Sequence, residues 1–357
     1  MKKVKLNTIC SLKQWKTIPK NQLIEKGYPV YGANGIIGYT DTFNHSTPTI
    51  MICCRGASCG AINVSKDKCY INGNAMALDN LDSNFLIDYV SNYLKAYDFS
   101  HVITGTAQPQ ITQIGLNNVY IPVLSLKEQE RISNELNDIN AELDICKEQL
   151  NIINELIKSQ FIDLFGDIVF NEKQWNTYKL IDICKFNSSE VGLAEEKMWL
   201  LNLDMIESQT GRVIDYLEVD NNNIPSSTVK FNENCVLYSK LRPYLNKVVI
   251  PNKSGYGTSE LIAIEANSKI NKYYLASALR SDSFVKFIDA TSYGVKMPRA
   301  SVDALKNFCI PVPPINKQND FEFLYKQCDK LKFIVQQRID LLNELLNTKM
   351  HEYFDEE

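Results

Sequence analysis

Residues 103–123 read ITGTAQPQITQIGLNNVYIPV, and residues 292–312 read SYGVKMPRASVDALKNFCIPV. At an offset of 189 (294 − 105), Gly105 falls on Gly294, Pro109 on Pro298, Leu116 on Leu305 and Asn118 on Asn307, and Ile121-Pro122-Val123 falls on Ile310-Pro311-Val312. An earlier match, KLNTIC at 5–10 with KLIDIC at 179–184, has an offset of 174 (179 − 5), so the second copy is longer by 15 residues between the two anchors. A unit this long, repeated once, is not a solenoid, which stacks many units of roughly 20–50 residues. The chain must fold as two related bodies that share an opening and an exit and differ in the middle.

Each exit leads into a long amphipathic stretch. From Ile132 the apolar positions are Ile132, Leu136, Ile139, Leu143, Cys146, Leu150, Ile153, Ile157, Phe161 and Leu164, alternating steps of four and three. That is a heptad seam. Ser125 with Glu128 forms a capping-box signature at its start, and Gly166 suits a left-handed stop. About forty residues at roughly 1.5 Å each give a rod of about 60 Å. The second rod follows PVPPIN, with Asn316 expected as N-cap and a seam of Phe321, Leu324, Cys328, Leu331, Val335, Ile339, Leu342 and Leu345. The offset of 189 persists: Gln129 maps to Gln318, Asn154-Glu155-Leu156 to Asn343-Glu344-Leu345, and Phe165 to Phe354. A single rod of this length would leave its seam wet, so the two are expected to pair.

The expected boundaries are therefore 1–124, a first domain; 125–166, a first rod; 167–314, a second domain; and 315–357, a second rod. The formal charge of −4 is unevenly spread. Residues 1–125 hold 11 Lys and Arg against 7 Asp and Glu, and residues 168–314 hold 17 against 16. Residues 126–167 hold 4 against 10, and residues 315–357 hold 6 against 9. Uneven charge is common, but this pattern suits a chain that presents only its larger segments to a polyanion. No apolar run approaches a membrane span, the amino-terminal stretch has no signal-peptide hydrophobic region, and the ten cysteines read as reduced thiols, so a cytoplasmic setting is expected.

The divergent middles alternate short strand-like runs with Gly, Asn and Pro turns: TIMICC (49–54), AINV (61–64), RVIDYLEV (212–219), NCVLYS (234–239) and KVVIP (247–251). Each has one late helical run, 84–97 and 272–288, so an α+β fold of small mixed α/β domains is expected. Polar side chains crowd the probable turns in YPVYGANGIIGY (28–39), RGASCG (55–60) and YSKLRPYLNK (238–247). Gly and Asn form turns in any protein, but Arg, Lys, Asn, Gln and Ser are also the types that read base edges and phosphates, and each copy has such a set.

The plan of variable domain, helix, variable domain, helix resembles the specificity subunit of type I restriction–modification systems. YPVYGANGIIGY, RGASCG, GTAQPQIT followed by IPV, LKEQERI, INKQNDF, VLYSKLRPYLNKV and GVKMPRAS carry the resemblance, which spans residues 4–354. One departure is INKQND, where the family has an acidic residue before the Gln. The resemblance implies two target-recognition domains, each reading one half of an asymmetric split DNA site. It further implies an antiparallel coiled coil as spacer, a pseudo-twofold internal repeat, and docking of two methyltransferase subunits with, in some assemblies, two restriction or translocase subunits. No cofactor is expected on this chain: S-adenosylmethionine, ATP and magnesium would belong to the partners. The candidate DNA contacts are Tyr31, Asn34, Arg55, Ser58, Gln108 and Gln110 in the first half, and Lys240, Arg242, Lys247, Lys296 and Arg299 in the second.

The residues offer no competing chemistry. The only Pro-Pro, at 313–314, precedes a helix rather than forming a base-holding methyltransferase loop, and no phosphate-binding loop is present. Gly32, Gly35 and Gly38 lack dinucleotide-binding spacing, and His45, His101 and His351 are far apart. Cys53, Cys54, Cys59 and Cys69 lack paired C-x-x-C knuckles, so buried thiols are expected rather than zinc. Two other readings stand: a duplicated protein-binding scaffold, and an enzyme with a site hidden in one middle.

Overall fold

The computed structural model describes residues 2–32, 35–56, 58–105, 108–187, 197–220, 224 and 227–354. Packing divides the chain into two units, Met1–Cys146 with Arg338–Glu357, and Lys147–Gln337. The two long helices, Leu126–Phe165 and Ile315–Phe354, each contribute one end to each unit.

The two middles, so different in sequence, share one topology. In the first unit an antiparallel sheet runs in spatial order Ser11–Lys13, Ala75–Asp79, Ile50–Cys53, Ile62–Val64. In the second the order is Cys184–Phe186, Leu261–Ala266, Cys235–Ser239, Val248–Val249, again antiparallel. A second sheet in each unit contains one antiparallel and one parallel pairing around a central strand. Tyr28–Gly32 lies between Gly35–Thr40 and Tyr70–Ile71 in the first, and Lys197–Leu201 between Leu217–Asp220 and Gly255–Gly257 in the second. The second unit adds Val229–Phe231 beside Gly255–Gly257. The run 272–288 is two helices, Lys272–Arg280 and Asp282–Ala290, because the Ser281 hydroxyl accepts from the Phe284 amide and caps the second helix.

The matching ends of the two copies close each unit in the same way. Lys3–Lys5 pairs antiparallel with Tyr120–Pro122, and Thr177–Lys179 with Cys309–Pro311. The Leu6 amide then donates to the Val119 carbonyl at 2.9 Å, and the Leu180 amide to the Phe308 carbonyl at 3.0 Å. The short helices Leu6–Ile9 and Leu180–Ile183 bury Leu, Ile and the following Cys of the shared motif. Burial pushes the Cys10 and Cys184 thiols up to about 12, so both act as small apolar groups. Tyr89 and Tyr274, each fully buried, donate their hydroxyls to the carbonyls of Pro122 and Pro311. Phe354 meets the Tyr89 ring edge-on at 6.0 Å, and Phe165 meets Tyr274 at 4.8 Å.

The first long helix starts where Ser125 Oγ accepts from the Glu128 amide and stops at Gly166, whose φ is +76°. The second starts at Ile315, one residue before the expected cap Asn316. Pro313 and Pro314 fix an extended approach, and the Pro314 carbonyl accepts from the amides of Lys317 and Gln318, which leaves Asn316 inside the first turn. Ile132, Leu136, Ile139, Leu143, Cys146, Ile157 and Phe161 are buried along the first helix. On the second helix, Leu331 and Leu345 are exposed at 52% and 43%, whereas Tyr325, Ile339 and Tyr353 are buried. The 4-3 spacing from Phe321 runs through Tyr325, Cys328 and the half-buried stem of Lys332, one residue out of step with the sequence expectation at Leu324 and Leu331. In the first unit, Lys349 bonds Glu135 at 3.1 Å and Arg338 pairs with Glu142. In the second, Phe321 packs edge-on against Phe161 and Phe165 at 5.5 and 5.6 Å.

Each helix is fastened to its domain by one fully buried amide. Gln129 accepts from the Leu86 amide at 2.9 Å and donates to the carbonyls of Asn84 and Leu124 at 2.8 and 3.0 Å. Gln318 accepts from the Asn271 amide at 2.8 Å and donates to the carbonyls of Lys269 and Pro313 at 3.2 and 2.7 Å. Replacing either by Ala strands buried backbone groups and is expected to destabilise its unit by about 2–3 kcal/mol in urea unfolding, whereas Gln149→Ala, exposed on the first helix, changes stability by less than about 0.5 kcal/mol.

Candidate nucleic-acid interface

The second strand-connected feature common to both units is a hairpin zipped onto the end of a buried strand. In the first unit the hairpin is Ile103–Thr104 with Gln110–Ile111, in the register Gln110 to Thr104. Strand Ile50–Cys53 runs into it: the Ile111 amide donates to the Cys54 carbonyl at 3.0 Å and the Gly56 amide to the Pro109 carbonyl at 3.2 Å. Arg55 thereby faces Gln110 in an isolated bridge. In the second unit the Ala300 amide donates to the Lys240 carbonyl at 2.8 Å and the Arg242 amide to the Pro298 carbonyl at 2.7 Å, with Leu241 facing Arg299. Pro109 and Pro298 are 189 residues apart, whereas Gly56 and Arg242 are 186 apart (242 − 56). The frame is the same, and different residues occupy it.

Local details repeat within that frame. Cys53 Sγ donates to the Arg55 carbonyl at 3.5 Å, and Ser239 Oγ to the Leu241 carbonyl at 3.1 Å, holding the turn after each strand. Gly105 and Gly294 open the hairpin tips with φ of +86° and +93°. An added Cβ on Gly105 would lie 2.7 Å from the Gln108 carbonyl oxygen, so the tip has no room for a side chain there. Arg242, at the place of Gly56 (φ +84°), has φ +49°. A left-handed non-glycine residue costs on the order of 1 kcal/mol, and such strain concentrates where a side chain has a task.

The hairpin frames bring Arg55 and Gln110 together, with Gln108 on the tip and Ser58 in the adjoining turn, its hydroxyl 3.3 Å from Cys53 Sγ. They likewise gather Lys240, Arg242, Lys296 and Arg299. Arg55, Arg242 and Lys296 are exposed, and among the described residues these three and Lys240 have no carboxylate within ion-pair distance. Arg299 is held by Glu260, with Nη2 at 2.8 Å and Nε at 3.1 Å from Oε1. The Lys247 ammonium donates to the Leu203 carbonyl at 2.6 Å, and burial holds its pKa below the usual lysine range. Tyr31 is buried, its hydroxyl accepting from the Lys66 amide at 3.1 Å, and Asn34 lies outside the described residues. Sequence reading did not single out Glu260, Tyr293, Val295 or Met297. The hairpin repeat at 189 was a usable signal for the last three, whereas Glu260 becomes visible only through its contact with Arg299.

The other candidate chemistries are structurally occupied. His45 is buried between Asn44 and Asp79, and His101 meets the Tyr97 hydroxyl. Cys53, Cys54 and Cys69 are buried and the Cys54 thiol is pushed up to about 11 by burial; among the described residues no group of three or more His, Cys, Asp or Glu is placed to hold a metal.

The family model described as the type I restriction modification DNA specificity domain matches residues 1–155 and 172–344. The chain belongs to that family. Each matched stretch contains one hairpin frame. A specificity subunit of type I restriction enzyme EcoDI from Escherichia coli is 26% identical over 153 residues, covering 42% of this chain and 34% of the relative. The MjaVIII specificity subunit of Methanocaldococcus jannaschii is 24% identical over 262 residues, covering 64% of this chain and 59% of the relative. The matches thus span about a third and three fifths of those relatives. In fold, the chain is similar to the crystal structure of a type I restriction–modification S subunit from M. genitalium, with a TM-score of 0.62 and 18% identity over 100% of this chain and 96% of that one.

The backbone of these specificity domains makes a prediction separate from binding. Gly294→Ala is expected to lose about 1–2 kcal/mol in urea unfolding, whereas Arg242→Gly, which relieves a left-handed residue, leaves stability unchanged or raised by up to about 1 kcal/mol.

Proposed function

We propose that this chain is the non-catalytic, DNA sequence-recognition subunit of a type I restriction–modification complex. Domains 1–124 and 167–314 would each read one half of an asymmetric, split duplex site, and rods 125–166 and 315–357 would pair as an antiparallel coiled coil that spaces them. The observation that carries this reading is the hairpin frame, built twice from the same backbone bonds and dressed with different side chains. A repeated frame suits a repeated geometrical task on B-DNA, and different side chains suit different base sequences. Arg55, Gln108 and Gln110, with Ser58, are assigned to one half-site; Lys240, Arg242 and Lys296 to the other. Arg299 and Lys247, engaged with Glu260 and Leu203, position the second reading surface.

The partner reading follows from the duplicated ends. The equivalence of Gln129 with Gln318, Phe165 with Phe354 and Tyr89 with Tyr274 supports a pseudo-twofold arrangement offering two equivalent docking surfaces, which suits two copies of a methyltransferase subunit and, in a nuclease-bearing assembly, two restriction subunits. S-adenosylmethionine, ATP and magnesium belong to those partners in this reading. Among the described residues, no helix is long and apolar enough to cross a membrane, and the cytoplasm is the compartment proposed.

Mapping methylated adenines in host DNA with and without this gene should remove one asymmetric, split motif on deletion. In the assembled complex, Arg55→Ala and Arg242→Ala should each weaken discrimination at one half-site only, by about tenfold or more. Equal loss on random DNA would make either residue a phosphate contact, and an unchanged methylation map together with a lack of salt-dependent DNA binding by the assembled complex would favour a protein-binding scaffold.

A further inference from the structure

The tip of the second hairpin carries exposed apolar side chains. Val295 is 100% exposed, Tyr293 61% and Met297 47%. Lys296 stands between Val295 and Met297, and Arg242 is bonded to the same tip through its amide and the Pro298 carbonyl. Singly exposed apolar residues are ordinary, but three on one tip, beside Lys296 and Arg242, which have no carboxylate within ion-pair distance among the described residues, form a surface of mixed chemistry. The base of the tip is held in place. Tyr293 and Arg299 exchange backbone hydrogen bonds of 3.0 and 2.9 Å, Gly294 takes φ +93°, and Glu260 clamps the Arg299 guanidinium. A tip closed at its base has less backbone entropy to lose when it binds.

Resting on the function proposed above, we infer that Val295 and Met297 read the 5-methyl group of thymine in the major groove. That methyl is the apolar feature of a groove floor otherwise made of hydrogen-bond donors and acceptors, and an aliphatic side chain is its complement. Lys296 and Arg242 supply attraction to phosphate and guanine nearby. A tip serving phosphate alone gains nothing from a fully exposed valine beside its lysine. The first hairpin has Thr106, Ala107 and Gln108 at the corresponding sequence positions, between the same Gly and Pro. Its tip therefore lacks a valine and a methionine, and its half-site is read without them.

The test uses the chain assembled with its methyltransferase subunits and the split site found by methylation mapping. The half-site of the second domain is the one weakened by Arg242→Ala. Each thymine there is replaced in turn by deoxyuridine, which lacks only the methyl group, and binding is measured for the unaltered chain and for Val295→Ser and Met297→Ser. The expected result is about fourfold weaker binding at one or two positions, on the scale of one buried methyl group. That loss should vanish in the serine variant whose side chain makes the contact, and substitutions in the other half-site should respond identically in all three proteins. Both variants change exposed residues, and unchanged thermal melting verifies their folding. A half-site without thymine, no effect of deoxyuridine, or an effect that persists undiminished in both variants overturns the inference while leaving sequence recognition intact. Equal binding to all sequences by the assembled complex instead overturns the recognition reading itself.

Discussion

A buried glutamine at the first turn of each long helix is the constraint on which the rest depends. An amide removed from water must find partners for its oxygen and both hydrogens, or it costs several kilocalories. Gln129 and Gln318 each meet that demand with backbone groups from the domain and from the segment just before the helix. Because those partners are main-chain atoms, only one placement of the helix satisfies them, and the direction in which each helix leaves its domain is fixed. Hydrophobic contact alone would allow sliding by a turn; the amide removes that freedom. Tyr89 and Tyr274 add a second fixed bond through the exit strand, and burial pushes their hydroxyls well above the usual tyrosine range, keeping them donors.

From that fixed exit the logic of the hairpin frame follows. Its geometry is written in main-chain hydrogen bonds and in glycine and proline, with one small side chain, Cys53 or Ser239, holding the turn. The frame can therefore tolerate Arg55 in one copy and Leu241 in the other, or Gln110 and Arg299, without changing shape. A fold that must present different chemistry at two equivalent places needs this separation of backbone from side chain. Arg242 shows its limit: keeping a cation where the other copy has glycine leaves that residue in the left-handed region.

The same separation explains what could be read in the sequence. The shared ends were legible because buried positions accept few residues, so Leu6 and Leu180, Gln129 and Gln318, and the two IPV strands kept their identities. The common topology of the middles was not legible, because a strand such as Ile50–Cys53 and its counterpart Cys235–Ser239 are held by backbone pairing that valine, methionine or leucine serve equally well. Their offset of 186 differs from the 189 of the exit, which hides the match from any single alignment. The second helix misled for another reason: Leu331 is apolar but faces outward, while Tyr325 and the stem of Lys332 fill the seam, so hydrophobicity alone set the heptad one residue out of step. Among the candidate contacts, residue type could not distinguish Arg242, exposed, from Lys247, whose ammonium is engaged with the Leu203 carbonyl.

The uneven charge then acquires a physical role within the proposed reading. The acidic segment 126–167, with 10 carboxylates against 4 cations, repels phosphate wherever DNA approaches it. Repulsion of this kind falls off over a Debye length of about 8 Å at physiological salt, so it acts locally rather than across the molecule. It disfavours DNA lying against a helix without weakening its attraction to the exposed cations Arg55, Arg242 and Lys296. A uniformly basic chain would bind duplex anywhere along its surface, and sequence discrimination would be diluted by those non-specific modes. Keeping the long helices acidic leaves base reading by the domains a larger share of the binding energy, and so a net acidic protein can be a more selective reader of DNA than a basic one.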